Sequence, residues 1–143
     1  MIRFELVTLD GIKFAEDVYE VMLPTPDGQI AVLPMHSPIV SLADTGIIAV
    51  RRQPNDPNDR LEYFATNGGV IEIADNAVRV LADTADREDE INEQEALKAF
   101  EEAQSLLKSA KDRVELEHAQ ALVDRSQTRL RVAELRRHSR RSH

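Results

Sequence analysis

Hydrophobic positions along the chain follow two rhythms, alternating in short runs up to Asp86 and recurring every three or four residues beyond it. In the first part, residues 4–9 alternate and end at Asp10-Gly11, a pair that tolerates the positive φ of a tight turn. A run of β-formers over 18–23 is stopped by Pro24-Thr25-Pro26-Asp27-Gly28, and a short run over 30–33 is closed by Pro34. Gly46 opens a further run over 47–52, ahead of a polar loop at 54–59. Runs over 61–66, 70–73 and 77–81 follow, separated by Asn67-Gly68-Gly69 and Ala74-Asp75-Asn76. All five glycines and all six prolines precede residue 70, so the first half is many short segments and the second is long uninterrupted ones. Short strands at close spacing with tight turns predict a flattened antiparallel β-sandwich or barrel over residues 1–86. No helical run of ten or more residues separates the strands, which argues against a parallel α/β sheet.

After Asp86, Leu97, Phe100, Ala103, Leu107, Ala110 and Val114 recur at helical steps, and Leu116, Ala119, Val123, Leu130 and Ala133 form a second stripe. Asn92 is placed to cap the first helix, with Glu95 three residues on. Glu93 and Glu95 near the start, and Arg136 and Arg137 near the end, suit the helix dipole. One helix from 92 to 136 would be about 67 Å long. A break at the polar stretch 108–112 is the better expectation, giving an antiparallel two-helix hairpin within a second domain over 87–143. The stripes are narrow and rich in alanine, and a two-helix hairpin buries little surface by itself. It must lean on the strands or on another protein, and because each docking site stabilises it only modestly, exchange between them is expected.

Composition narrows the classes. The 143 residues are 42% hydrophobic and 31% charged, so the chain can bury a core. The apolar-rich stretch 39–50 is interrupted by Ser41, Asp44 and Thr45, and falls far below the roughly 20 residues of a membrane span. The opening Met1-Ile2-Arg3-Phe4-Glu5 lacks the organisation of a signal peptide, so none is expected. With no cysteine, disulfide scaffolds, Cys-ligated zinc, iron–sulfur clusters and thiol catalysis are excluded. The formal net charge of −8 argues against general nucleic-acid affinity. That charge is uneven: residues 1–86 hold 14 acidic and 6 basic side chains, whereas 87–143 hold 12 of each, with the basic excess from Asp112 onward. An acidic body therefore carries a basic end.

Candidate chemistry is sparse. The phosphate-cradling patterns GxxxxGK(S/T) and GxGxxG are absent. His36, Ser37 and Asp44 offer the elements of a nucleophile, base and orienter. The proline-braced turn Pro34-Met35-His36-Ser37-Pro38 instead favours a histidine that satisfies a backbone group or a partner. His118, His138 and His143 lack ligand-spaced companions, so no metal is expected. Glu88-Asp89-Glu90 resembles no calcium loop and reads as a solvated linker or a helix-start charge cluster. The tail over 136–141 has the charge to touch anionic lipid or nucleic acid, but six residues at a terminus read first as a frayed, solvated end. The chain is thus expected to be a binding or coupling module and not an enzyme. A free-standing sandwich adaptor with a dimerising hairpin, and a small hydrolase built on His36, Ser37 and Asp44, are the competing classes.

Three blocks then become recognisable. Asp27-Gly28-Gln29-Ile30-Ala31-Val32-Leu33-Pro34-Met35-His36-Ser37-Pro38-Ile39, with Gly46-Ile47-Ile48 downstream, resembles the epsilon subunit of F-type ATP synthases through its Gly, apolar run and Pro-x-His-x-Pro. Asn67-Gly68-Gly69-Val70-Ile71-Glu72-Ile73, followed by 76–85, is similar to a second block of that family. Arg129-Leu130-Arg131-Val132-Ala133 resembles the end of its second C-terminal helix. The three blocks occur in the family's order and span nearly the whole chain.

The resemblance implies a flattened β-sandwich followed by a helical hairpin, and a place in the rotor's central stalk. There the sandwich grips the gamma subunit and rests on the membrane c-ring, while the helices change position and restrain ATP hydrolysis. It implies a non-catalytic subunit, peripheral on the cytoplasmic face of a bacterial membrane or the stromal face of a thylakoid. It places Gly28 and Gln29 toward the c-ring and His36 near gamma, although Gln29 stands where some relatives carry an acid. An extended hairpin would bring Arg113, Arg125, Arg129 and Arg131 to acidic surfaces of the alpha/beta catalytic head. Some relatives bind ATP through Ile or Leu, Asp, two variable residues, Arg and Ala; the corresponding Ile91-Asn92-Glu93-Gln94-Glu95-Ala96 has Asn for the Asp and Glu95 for the Arg. That reverses a charge facing phosphate, a change of roughly a few kcal/mol in a partly dry site. Arg125 and Arg129 match the family's arginines on the second helix, so half a site remains, and no cofactor and weak or absent ATP binding are expected.

Overall fold

The computed structural model describes residues 1–141, with side chains to Ser139. Turn chemistry sets its strand order. Leu9-Asp10 joins β1 (Ile2–Thr8) to β2 (Gly11–Val18), and Pro26-Asp27 joins β3 (Glu20–Thr25) to β4 (Gly28–Val32). The long strands β5 (Ile39–Arg51) and β6 (Glu62–Ala74) are followed by β7 (Ala77–Ala82) and the short β8 (Ala85–Arg87). Asp75 and Asn76, between β6 and β7, both take positive φ (51° and 58°), as a two-residue hairpin turn of the primed kind requires. The strands lie in the order β2-β1-β7-β6-β5-β3-β4, with β8 also on β6. Pairing is antiparallel except between β1 and β7, which run parallel.

This one sheet folds over on itself. β7 pairs with the 69–74 end of β6, β8 pairs with its 64–66 end, and β3 pairs with 49–51 of β5. β5 and β6 therefore pass through both layers. Their inward side changes phase on the way: Ala43, Ile71 and Ile73 point into the core at one end, and Ile48, Val50 and Phe64 at the other. The change coincides with Gly68 and Gly69 at φ of 111° and 149°. A Cβ on Gly69 would sit 2.1 Å from the Leu81 carbonyl oxygen, so only glycine fits there. The breaks expected at Gly46 and at 67–69 are thus bends inside continuous 13-residue strands. The run expected over 18–23 is divided at Tyr19, and β2 was hidden because it sits at an edge and buries only Phe14 and Val18.

The core gathers Phe4, Phe14 and Phe64, whose rings follow one another at 5.4 and 5.6 Å. Arg52 lies 5.2 Å over the Phe14 ring and reaches Glu62 at 3.0 Å and Glu16 at 2.9 Å, closing that end of the sandwich. The Arg52 hydrogen bond holds the Glu16 carboxyl below the usual range.

α1 (Glu93–Ser109) and α2 (Arg113–Arg141) form the expected hairpin, with its turn at 110–112. Asn92 caps α1, accepting from the Glu95 N–H at 3.0 Å. No glycine or proline marks the turn; Asp112 accepts from the Glu115 N–H and Glu115 from the Lys111 N–H, each at 2.8 Å. Small side chains line the inner faces, Ala96 and Ala103 on α1 and Ala119, Val123 and Ser126 on α2. Three members of the expected stripes, Leu97, Val114 and Leu116, are exposed instead, at 45%, 76% and 49%. Val114 and Leu116 lie in the opening turns of α2, at the tip where the hairpin turns. At the usual rise α1 is about 26 Å long and α2 about 44 Å. The last turns of α2 therefore extend past the start of α1 and over the sandwich.

Candidate functional site

The hairpin docks on the outer face of the layer built from the C-terminal half of β5 and the N-terminal half of β6. Ile47 pairs there with Ala65 and Ala49 with Tyr63. Val132 and Ala133 of α2 bury against Ala65, Ile91 and Ala96, with Leu130, Ile47 and Tyr63 at the margin. A polar rim surrounds this patch. Arg129 Nε lies 3.1 Å from Asp86 Oδ2, and Arg137 Nη1 lies 2.8 Å from Glu93 Oε1. Arg136 Nη1 donates to the Glu88 carbonyl at 3.1 Å, and Ser139 Oγ donates to the Asp59 carbonyl. The Glu88 carboxylate accepts the Tyr63 N–H at 3.2 Å, and burial pushes the Glu88 carboxyl above the usual range. Burial and the neighbouring Glu88 charge likewise raise the Tyr63 phenol.

These contacts decide one expectation and correct another. The cluster Glu88-Asp89-Glu90 is the helix-start charge cluster and not the solvated linker: it forms a 3-10 turn, with Glu90 3.2 Å from Lys13 Nζ. The tail is helical and docked at Arg136, Arg137 and Ser139; the side chains of Arg140 and Arg141, and all of His143, lie outside the described residues. Sequence reasoning missed the Glu88, Asp59 and Tyr63 contacts because their partners stand 25 to 80 residues apart, beyond any local pattern.

The opposite layer shows a different outer face. Leu42 pairs with Val70, Val70 with Leu81, Leu81 with Val7 and Val7 with Ile12, so one apolar row crosses five strands. Ile12 is 70% exposed, Leu42 63%, Leu81 45% and Val70 39%. The next row along is Val40, Glu72, Arg79 and Glu5, in which Arg79 Nε reaches Glu5 at 3.2 Å. A contiguous exposed apolar row with charges beside it is the pattern of a docking surface.

The remaining candidates are scattered. Gly28 and Gln29 are exposed at the β3–β4 tip, where Gly28 accepts from Thr25 Oγ1 at 2.6 Å. His36 Nδ1–H donates to the Ser37 carbonyl at 2.7 Å, and the Asp44 carboxylate accepts the Thr45 N–H at 2.9 Å, so each uses its nearest backbone group. The turn bearing His36 is pinned by the Met35 N–H donating to Asn76 Oδ1 at 2.8 Å, at φ of 65° for Met35. Arg113 is exposed and pairs with Glu117 at 2.9 Å, and exposed Arg131 lies 4.0 Å from Glu134. Arg125 is exposed beside Glu102, Leu122 and Ser126, in a groove between the helices that Arg129 also borders. Among the described residues no group of His, Cys, Asp or Glu could hold a metal ion, and no helix is long and apolar enough to cross a membrane.

A sandwich with one open apolar face and a helical hairpin on the other is an interaction module. Residues 1–88 match the family described as ATP synthase, Delta/Epsilon chain, beta-sandwich domain, and 89–134 match ATP synthase, Delta/Epsilon chain, long alpha-helix domain. The ATP synthase epsilon chain of Chloroflexus aggregans is 33% identical over 140 residues, covering 98% of this chain and 97% of that one. The chloroplastic ATP synthase epsilon chain of Pelargonium hortorum is 32% identical over 127 residues, 89% of this chain and 92% of that one. The chain belongs to the F-type ATP synthase epsilon subunit family. In fold it is similar to a chain of the Euglena gracilis mitochondrial ATP synthase OSCP/F1/c-ring structure, with a TM-score of 0.76 at 22% identity over 89% of this chain and 78% of that one. It also resembles a chain of the Tetrahymena thermophila central stalk/c-ring structure, with a TM-score of 0.61 at 12% identity over 92% and 95%.

Proposed function

We propose that this chain is a non-catalytic rotor subunit of the central stalk in a proton-translocating ATP synthase. It couples the c-ring to gamma and restrains ATP hydrolysis through its C-terminal helices. The observation that carries the reading is the exposed row Leu42–Val70–Leu81–Val7–Ile12, which a shaft protein would cover. Transmitting torque requires a body that does not deform, and a close-packed sandwich core provides one. His36, pinned through Met35 to the β6–β7 turn, is the gamma-facing histidine of this reading, and the exposed Gly28-Gln29 tip is its c-ring contact. The subunit is then peripheral, reaching the membrane only through the ring.

Regulation falls to the hairpin. Extended from the sandwich, it would present Arg113, Arg125, Arg129 and Arg131 to acidic surfaces of the catalytic head, where such charges steer and orient. In the docked arrangement Arg129 is held by Asp86 instead. Nucleotide has little role in this control: Asn92 is committed to capping α1, and Glu95 stands where the motif calls for Arg. Calorimetry on the isolated subunit is expected to show no micromolar ATP binding. Removing residues 88–143 is expected to leave the complex assembled and raise its ATPase rate; an unchanged rate in the assembled truncated complex contradicts the restraining role.

A further inference from the structure

Arg136 and Ser139 stand three residues apart on α2, and each donates to a main-chain carbonyl in a different loop of the sandwich, Glu88 and Asp59. The loop that presents Asp59 is built for the purpose. Arg51 ties it from below, with Nη1 donating to the Asp56 carbonyl at 2.5 Å, Nη2 to Asn58 Oδ1 at 2.8 Å, and Nε paired with Glu20 at 3.0 Å. The Asp56 carboxylate accepts the Gln53 N–H at 3.1 Å, and a 3-10 turn over Asn58–Arg60 completes the loop. The Arg129–Asp86 pair adds charge attraction to the sandwich on the same stretch of helix, while Arg137–Glu93 ties α2 to α1 within the hairpin. Beneath them Val132 and Ala133 bury against Ala65, Ile91 and Ala96, a small apolar seat to which the polar rim adds.

We propose that the last turns of α2 and the loop at 54–60 form a clasp that keeps the hairpin docked without nucleotide. This rests on the reading that the hairpin leaves the sandwich to act. Both carbonyl acceptors belong to the main chain, so the specificity lies in the helix donors. Water re-solvates both carbonyls when the helix lifts. Losing the two donors therefore shifts the docking equilibrium about tenfold toward the open form. The Arg129–Asp86 pair is partly exposed, so added salt shifts it further the same way.

The chain has no cysteine, which permits clean labelling of the full-length protein. A donor–acceptor dye pair at Asp10→Cys and Gln104→Cys reads hairpin docking. The double change Arg136→Met with Ser139→Ala is expected to lower the docked-to-open ratio about tenfold, with unchanged circular dichroism and no response to ATP. Ser139→Ala alone removes one hydroxyl from the helix surface and is expected to lower it several-fold, which keeps the test valid should the double variant fold poorly. Wild-type energy transfer in both variants overturns the clasp, as does wild-type docking that appears only with added ATP. The dye readout needs no partner, so failure of the wild-type chain to copurify with gamma contradicts the stalk reading and leaves this result standing.

Discussion

Val132→Ala probes how firmly the hairpin is seated. Val132 is fully buried on the sandwich-facing side of α2, in the cluster with Ala65, Ile91, Ala96 and Ala133. Deleting two methyl groups removes about 1.5 kcal/mol of transfer free energy, and a cavity adds about 1 kcal/mol where neighbours cannot collapse. Most of those neighbours are alanines, short side chains on two helices and a strand with no reach to fill the space. A loss of about 2–3 kcal/mol corresponds to about a 30- to 150-fold change in the docking equilibrium. Hydrogen exchange of the full chain measures it locally. Peptides from 119–139 are expected to exchange faster by that factor, while peptides from β1 and β7 keep their wild-type protection. Unchanged exchange in α2 would refute the claim that this small patch seats the helix. Equal acceleration in β1 and β7 would show hairpin and sandwich to be one cooperative unit, contradicting a detachable arm.

Two further changes test the body and the rim. Gly69→Ala places a methyl against the Leu81 carbonyl at a φ of 149°, so chemical denaturation is expected to show a loss of about 3 kcal/mol or more, or no folded protein. Burial raises the Glu88 carboxyl above its ordinary 4.5, so the folded state favours its neutral form. The stability this contributes is complete below that ordinary value and is lost as pH rises through the raised one. Glu88→Gln stays neutral and keeps an acceptor for the Tyr63 N–H, so its melting temperature is expected to exceed wild type at neutral pH and match it in acid; a lower melting temperature at neutral pH contradicts the assignment.

The legibility of the fold followed the reach of each interaction. The β7 strand, the Asp75-Asn76 turn, the Asn92 cap and the hairpin break all depend on residues within a few positions of one another, and local spacing revealed them. Gly46 and Gly68-Gly69 read as punctuation because a glycine that ends a strand and one that bends it look alike along the chain. What distinguishes them is the Leu81 carbonyl packed against Gly69 and the Pro24 ring 2.9 Å from a Cβ on Gly46, both supplied by other strands. The docking seam was the least visible part. Ala96 takes the buried place expected for Leu97, and hydrophobic patterning favours large residues over alanine. The tail read as solvated because its arginines are local evidence for water, and only the fold brings Glu88 and Glu93 to them and Asp59 to Ser139. The apolar row from Leu42 to Ile12 was equally hidden, since only strand pairing brings its members side by side.

That row carries the proposed attachment to the stalk, and binding to the purified gamma subunit of the same complex tests it. Leu42 and Val70 are adjacent on the open face and 63% and 39% exposed, so Leu42→Asp with Val70→Asp leaves the core untouched. Covering two such side chains in an interface stabilises it by about 3 kcal/mol, and burying carboxylates in their place costs more. Titration is expected to show tight binding by the wild-type chain and a Kd weakened by about 100-fold or more in the double variant, at unchanged melting temperature. Wild-type affinity in the double variant, or no binding by the wild-type chain, contradicts the account.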